Sequence, residues 1–189
     1  NTTVFSELDD DSQDFSFAFK LPTMINDETY LDLSAGGGAL RRDRDSEIRR
    51  FSFSGVGPLA SDPNVIGNNT LDDILNPANI GPNGFELRET TRGTDNYVAD
   101  QDLDALFVGA DLNWKSKYRF AGGLRYEDNA QQVSTFELGV PGSVPVVAAI
   151  NTSDLLPSAG FTWLYSETDQ VRFSVAETVS RPDFRELSS

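Results

Sequence analysis

Cysteine and histidine are both missing from the 189 residues. The first absence excludes a disulfide scaffold and a thiolate zinc site. The second excludes a Ser-His-Asp triad and any imidazole-held metal. Long apolar runs are missing too: the longest, Val144 to Ile150, is broken by Pro145, and a spanning helix needs about 20 residues. Positive charge is scarce, 15 Lys+Arg against 30 Asp+Glu for a net charge of −15, so general attraction to nucleic acid or to an anionic membrane surface is excluded. Asn1 to Asp14 holds five acids and no basic start, so no signal peptide is expected there. The length suits one domain or a piece of a larger one. What the chain does have is 13 Phe and two Trp, enough for a substantial apolar face.

The periodicity is that of strands. Tyr118, Phe120, Gly122, Leu124 and Tyr126 alternate with Arg119, Ala121, Gly123, Arg125 and Glu127, which puts aromatic and apolar side chains on one side of an extended chain and charge on the other. Phe15, Phe17, Phe19 and Leu21 repeat the pattern, as do Leu31, Leu33, Ala35, Gly37 and Ala39. So do Leu106, Val108, Ala110, Leu112 and Trp114, then Ala159, Phe161 and Trp163, then Val171, Phe173 and Val175. None of these apolar-side positions is charged, whereas Lys20, Asp32, Asp111, Arg119, Arg125 and Arg172 fall on the opposite side. Six strands are expected, over 13–21, 29–53, 97–114, 118–136, 156–165 and 170–180. The fold class is all-β, an antiparallel up-and-down meander.

Short connections (Pro22 to Glu28, Lys115 to Lys117, Ser166 to Asp169) alternate with long ones rich in Gly, Pro and Asn, 54–96 and 138–155. In a meander this puts the tight turns at one rim and the long loops at the other, the habit of outer-membrane barrels. Phe19, Tyr30, Trp114, Tyr118, Trp163 and Tyr165 gather toward the short-turn rim, where amphipathic rings favour the headgroup level. An apolar sheet face also suits a soluble β-sandwich, for example a carbohydrate-binding module. Against that stand strands far longer than the ~5–6 residues of a typical one, and no evident layer to cover the face.

Several stretches resemble the TonB-dependent receptors of the Gram-negative outer membrane. The strongest are Asp154-Leu155-Leu156-Pro157-Ser158 and the run from Val171 through Ser180-Arg181-Pro182-Asp183-Phe184 to Leu187, which resemble neighbouring strands of the C-terminal half of that barrel. Asp95-Asn96-Tyr97-Val98-Ala99, Gly122 to Glu127, and Arg41-Arg42-Asp43-Arg44-Asp45 after a Gly-rich strand are similar to other parts of it. The resemblance implies a barrel of about 22 strands with a plugged lumen, importing a sugar, siderophore complex, cobalamin or another scarce nutrient with energy from the inner membrane. Residues 1–189 are then an open slice of the barrel wall, without plug, energy-coupling box or closing strand. The implied partners are outer-membrane lipid and lipopolysaccharide, the plug, the TonB energy-coupling complex and the nutrient, with no cofactor and no catalysis. Lys20, Asp32, Asp111, Arg119, Arg125 and Arg172 would face the lumen, and 54–96 would be an extracellular loop tied to ligand capture.

Other residues invite chemistry. Arg41, Arg42, Arg44, Arg49 and Arg50 suit an anionic ligand or lipopolysaccharide phosphate, unless neighbouring acids pair with them. On an extended strand Arg42, Arg44 and Arg50 share one side and Arg41 and Arg49 the other. Glu7, Asp9, Asp10, Asp11 and Asp14, and the alternate Asp100, Asp102 and Asp104, offer oxygens to calcium but lack a glycine-turned loop. Glu127, Glu137, Glu167 and Glu177 are the carboxylates a glycosidase reading would need. Gly36-Gly37-Gly38, inside a strand with no following Lys, suits close backbone approach and not a phosphate cradle. Thr70-Leu71-Asp72-Asp73 has the form of a helix N-cap.

Overall fold

The computed structural model describes residues 2–67, 69–139 and 142–188. The strands are β1 (Thr2–Asn26), β2 (Thr29–Gly55), β3 (Phe85–Glu89), β4 (Tyr97–Trp114), β5 (Tyr118–Thr135), β6 (Val146–Leu164) and β7 (Gln170–Ala176), with one-turn helices α1 (Pro63–Ile66), α2 (Leu71–Ile74) and α3 (Phe184–Leu187). The sheet order is β1-β2-β4-β5-β6-β7, with β3 paired to β2, so the meander and its long strands are as the alternation indicates.

Three strands depart from the expected extents. β1 starts eleven residues earlier than expected and runs on through Pro22, a residue type that ordinarily marks the start of a turn. β6 begins at Val146, so the connection expected over 138–155 is only 136–145, of which 140–141 lie outside the described residues. Val146 to Ile150 is apolar on both sides and hides the alternation that marks a half-buried strand. Finally, β7 ends at Ala176, and 177–183 is irregular.

The tight turns have local causes. Between β4 and β5, Lys115 and Ser116 both take positive φ, 54° each, and Lys117 N–H donates to the Trp114 carbonyl at 3.1 Å, the mirror-image turn that matches strand twist. Between β1 and β2, the Asn26 carboxamide accepts from Glu28 N–H at 3.0 Å. Between β6 and β7, Ser166 Oγ donates to Asp169 at 2.8 Å. The glycines of β2 permit close approach: a Cβ at Gly36 would lie 2.3 Å from the Phe17 carbonyl oxygen, and one at Gly37 2.8 Å from that of Ala105.

The chain divides into two compact units, each described by itself: unit 1 comprises 1–9, 45–97 and 135–146, and unit 2 comprises 10–44, 98–134 and 147–189. In unit 1, Asn96 is fully buried; its side-chain oxygen accepts from Ile48 N–H at 2.7 Å and its carbonyl from Phe136 N–H at 3.1 Å. The connection after β2 is more ordered than its Gly and Pro content suggests. Asp62 caps α1 through Asn64 N–H, Thr70 and Asp73 form a capping box on α2, and β3 pairs with β2 from Phe51↔Glu89 to Gly55↔Phe85. In unit 2 the buried side chains are those of Ala99, Ala105, Glu127, Asn129, Gln131, Val133, Phe184 and Ser188.

Candidate functional site

The sheet of unit 2 has two unlike faces. On one lie Phe15, Phe17, Phe19, Leu106, Val108, Phe120, Leu124, Phe161 and Phe173, most of them more than 40% exposed, with Phe161 directly opposite Phe173. Phe120 packs on Phe161 at 4.9 Å between ring centroids. Toward the tight turns Trp114, Tyr118, Trp163 and Tyr165 form a continuous aromatic row, with centroids 5.4, 6.5 and 5.8 Å apart. Tyr30 does not join it: two residues from Asp32 on the same strand, it belongs to the opposite face.

That opposite face is organised by charge. Nearest the tight turns, Lys20 meets Asp32 at 2.6 Å, and Arg119 is bidentate on Asp111, with Nε 2.9 Å from Oδ1. Farther along, Arg125 and Arg181 both reach Glu127 at 2.7 Å, and Arg181 also reaches Asp154 at 2.8 Å. Gln101 donates to Asn129 at 2.7 Å, and Gln131 to the Pro182 carbonyl at 3.0 Å. Arg172 sits opposite Thr162 in the β6–β7 ladder, one residue from the Phe161↔Phe173 pair and therefore on the other side from it. The six residues expected on the charged side are thus found there. Beside two of them, Asp111 and Arg125, lies a hollow of about 550 Å³ whose lining includes Ser34, Gly109, Gly123, Ser158, Gly160 and Ser174.

Farther from the tight turns, beyond the apolar band, the arginines divide as the alternation indicates. Arg41 turns to the apolar side, meeting Asp102 at 3.1 Å and Asp104 at 2.8 Å. Arg42 and Arg44 both bind Asp10, each at 2.7 Å, and Arg44 also meets Asp183 at 3.2 Å. In unit 1, Arg49 lies on Glu89 at 2.9 Å and over the Phe51 ring, while Arg50 is bidentate on Asp95 at 2.8 and 2.9 Å. All five guanidiniums are therefore held by carboxylates from other segments. The Arg42 guanidinium, aided by Arg44, holds the Asp10 carboxyl down to about 2 against the opposing effect of burial. Arg50 holds Asp95 below the usual carboxylate range. Burial, with Asp102 and Asp43 nearby, pushes Asp100 up.

Among the described residues no group of three or more acids is arranged to hold a metal ion. The carboxylates a glycosidase would pair are scattered. Glu127 is clamped by two arginines, Glu137 lies in the 136–145 connection, Glu167 in the β6–β7 turn, and Glu177 just past β7. Sequence reasoning alone misses Asn129, Gln131, Asp154, Arg181 and Phe184 as members of this face. The first two continue the Arg125, Glu127 alternation of β5 and Asp154 lies an even number of residues from Thr162 on β6, signals that are present; Arg181 and Phe184 depend on how 177–188 folds back, which no local pattern encodes.

A model of the β-barrel of TonB dependent receptor-like proteins matches residues 1–189. The fold is similar to that of the siderophore receptor PiuA from Acinetobacter baumannii, with a TM-score of 0.58 at 12% identity over 90% of this chain and 24% of that one. It is also similar to the ferric-catecholate import receptor Fiu from E. coli K12 in its closed form, with a TM-score of 0.55 at 14% identity over 90% and 24%. The chain spans about a quarter of the length of these two structures, and at such identities the likeness is one of fold. A search of the curated proteins finds no match. The family match over the full length favours a barrel wall over a soluble β-sandwich.

Proposed function

Because the chain belongs to the TonB dependent receptor-like β-barrel family, we propose that it forms part of the wall of a Gram-negative outer-membrane receptor that takes up a scarce nutrient. One observation carries this reading: an exposed apolar face edged by an aromatic row lies back to back with a face of ion pairs. Lipid covers the apolar face, and the charged face borders a lumen. Lys20, Asp32, Asp111, Arg119, Arg125 and Arg172 line that lumen, and the hollow floored by small residues leaves room for a plug. Transport then consists of capture by loops on the long-connection side and passage along this wall once a plug shifts, with energy from the TonB complex and no catalytic step by this chain. Arg41 and Arg49 are the arginines placed to meet lipopolysaccharide.

The test is a loop deletion in the full-length receptor. Removing 58–83 leaves β3 on β2, so barrel assembly should persist. Growth limited by a ferric siderophore, a maltooligosaccharide or cobalamin should fall for at least one of the three, as it does without TonB. Parental growth on all three, with normal receptor at the surface, would show that the loop is cover only.

A further inference from the structure

Unit 1 holds a hollow of about 500 Å³, shared by the turn before β4 and the β5–β6 connection. Its border includes Arg92 and Glu137, the hydroxyls of Thr135 and Ser143, and the apolar side chains of Phe136 and Val144. The volume is that of a small-molecule site. Its walls are tied to one another without a ligand. Phe136 N–H donates to the Asn96 carbonyl at 3.1 Å, Thr135 Oγ1 to the Val146 carbonyl at 3.2 Å, and Glu137 N–H to Ser143 Oγ at 3.3 Å.

The two charges of this hollow are opposite in sign and do not meet. A Cβ at Gly93 would lie 3.0 Å from Glu137 Cγ and 3.5 Å from its Oε1, so the carboxylate rests against the residue that follows Arg92. Among the described residues, neither Glu137 nor Arg92 has an ion-pair partner. Asp95, in the same turn as Arg92, is engaged by Arg50 at 2.8 and 2.9 Å. A ligand of one sign would be drawn by one of these groups and repelled by the other. A molecule with an anion at one end and a cation at the other satisfies both. The hydroxyls add a second requirement. Thr135 commits its hydrogen to Val146 and keeps its lone pairs, whereas Ser143 accepts from Glu137 N–H and keeps its hydrogen. One acceptor and one donor are what the N–H and C=O of a peptide group need.

We propose that this hollow binds a short apolar peptide with free ends. Its carboxylate lies on the Arg92 fork, which suits that group, and its ammonium on Glu137. Its peptide group lies on Thr135 and Ser143, and its side chains against Phe136 and Val144. The site is built within unit 1 and is independent of which nutrient the barrel takes up.

Titration calorimetry on the purified full-length protein in detergent tests this, with leucyl-leucine as the probe. Binding is read without transport, so failure here would leave the uptake reading intact. The dipeptide should bind saturably. Its amide, which lacks the carboxylate, and its N-acetyl form, which lacks the ammonium, should each bind roughly fivefold to tenfold more weakly. Arg92→Met should erase the preference for the free acid over the amide and keep that for the free amine over the N-acetyl form. Glu137→Gln should do the reverse, which assigns each end of the peptide to its own partner. Both side chains are exposed, so the variants should keep the parental denaturant midpoint. No saturable binding of leucyl-leucine, blocked forms that bind as tightly as the free peptide, or preferences that survive both substitutions would overturn the proposal.

Discussion

Leu124→Arg in the full-length receptor should destabilise the folded barrel by about 2–4 kcal/mol, the cost of an arginine at mid-bilayer on a lipid-facing position. Leu124 is 46% exposed on the face that carries Phe120, Phe161 and Phe173, and it lies six residues past the aromatic row at Tyr118, near the middle of a strand crossing of about 9–11 residues. The effect should appear as a lower denaturant midpoint in lipid vesicles and as a weaker folded band on unheated gels. Leu124→Ala removes apolar surface without adding charge and should cost much less. Equal losses from the two substitutions would mean that this face is not in hydrocarbon.

A comparable loss is expected on the other face. Arg181 joins Glu127 at 2.7 Å and Asp154 at 2.8 Å, with side-chain exposures of 16%, 10% and 28%. Arg181→Met leaves two carboxylates short of a partner in a partly buried place. Charged hydrogen bonds of this kind contribute ~1.5–3 kcal/mol each, and stranding a buried charge costs more than the pair's net worth. Arg125 still contacts Glu127, so an overall loss of about 2–3 kcal/mol is expected. Combining Arg181→Met with Glu127→Gln and Asp154→Asn removes the stranded charges and should recover most of it. If the triple variant is no more stable than the single one, the ion pairs are not what holds 177–188 to the sheet.

Much of this architecture is legible in the sequence because a sheet with one apolar side writes its register at every second residue. Phe120 and Leu124 against Arg119 and Arg125 is enough to assign the two faces of β5, and a shift of one residue would have reversed them. Where both sides are alike, the signal disappears. Val146 to Ile150 and the acidic start of β1 are strand without alternation, and Pro22 and Pro157 sit inside strands although proline usually marks a boundary. The arginine cluster is legible as two faces but not in its partners. Asp10, Asp95 and Asp183 lie 32, 45 and 139 residues from the arginines they bind, and pairing at that range is set by strand order. Phe184 is legible only as part of the Ser180 to Phe184 resemblance; its burial follows from the chain turning back after β7.

The central claim is that β5 separates lipid from lumen, and single spin labels at positions 120 and 125 of the full-length protein in bilayers test it most directly. The label at 120 should be relaxed by oxygen dissolved in the bilayer and protected from a water-soluble nickel chelate, while the label at 125 should show the reverse. Access of the nickel chelate to 120 together with oxygen relaxation at 125 would contradict it.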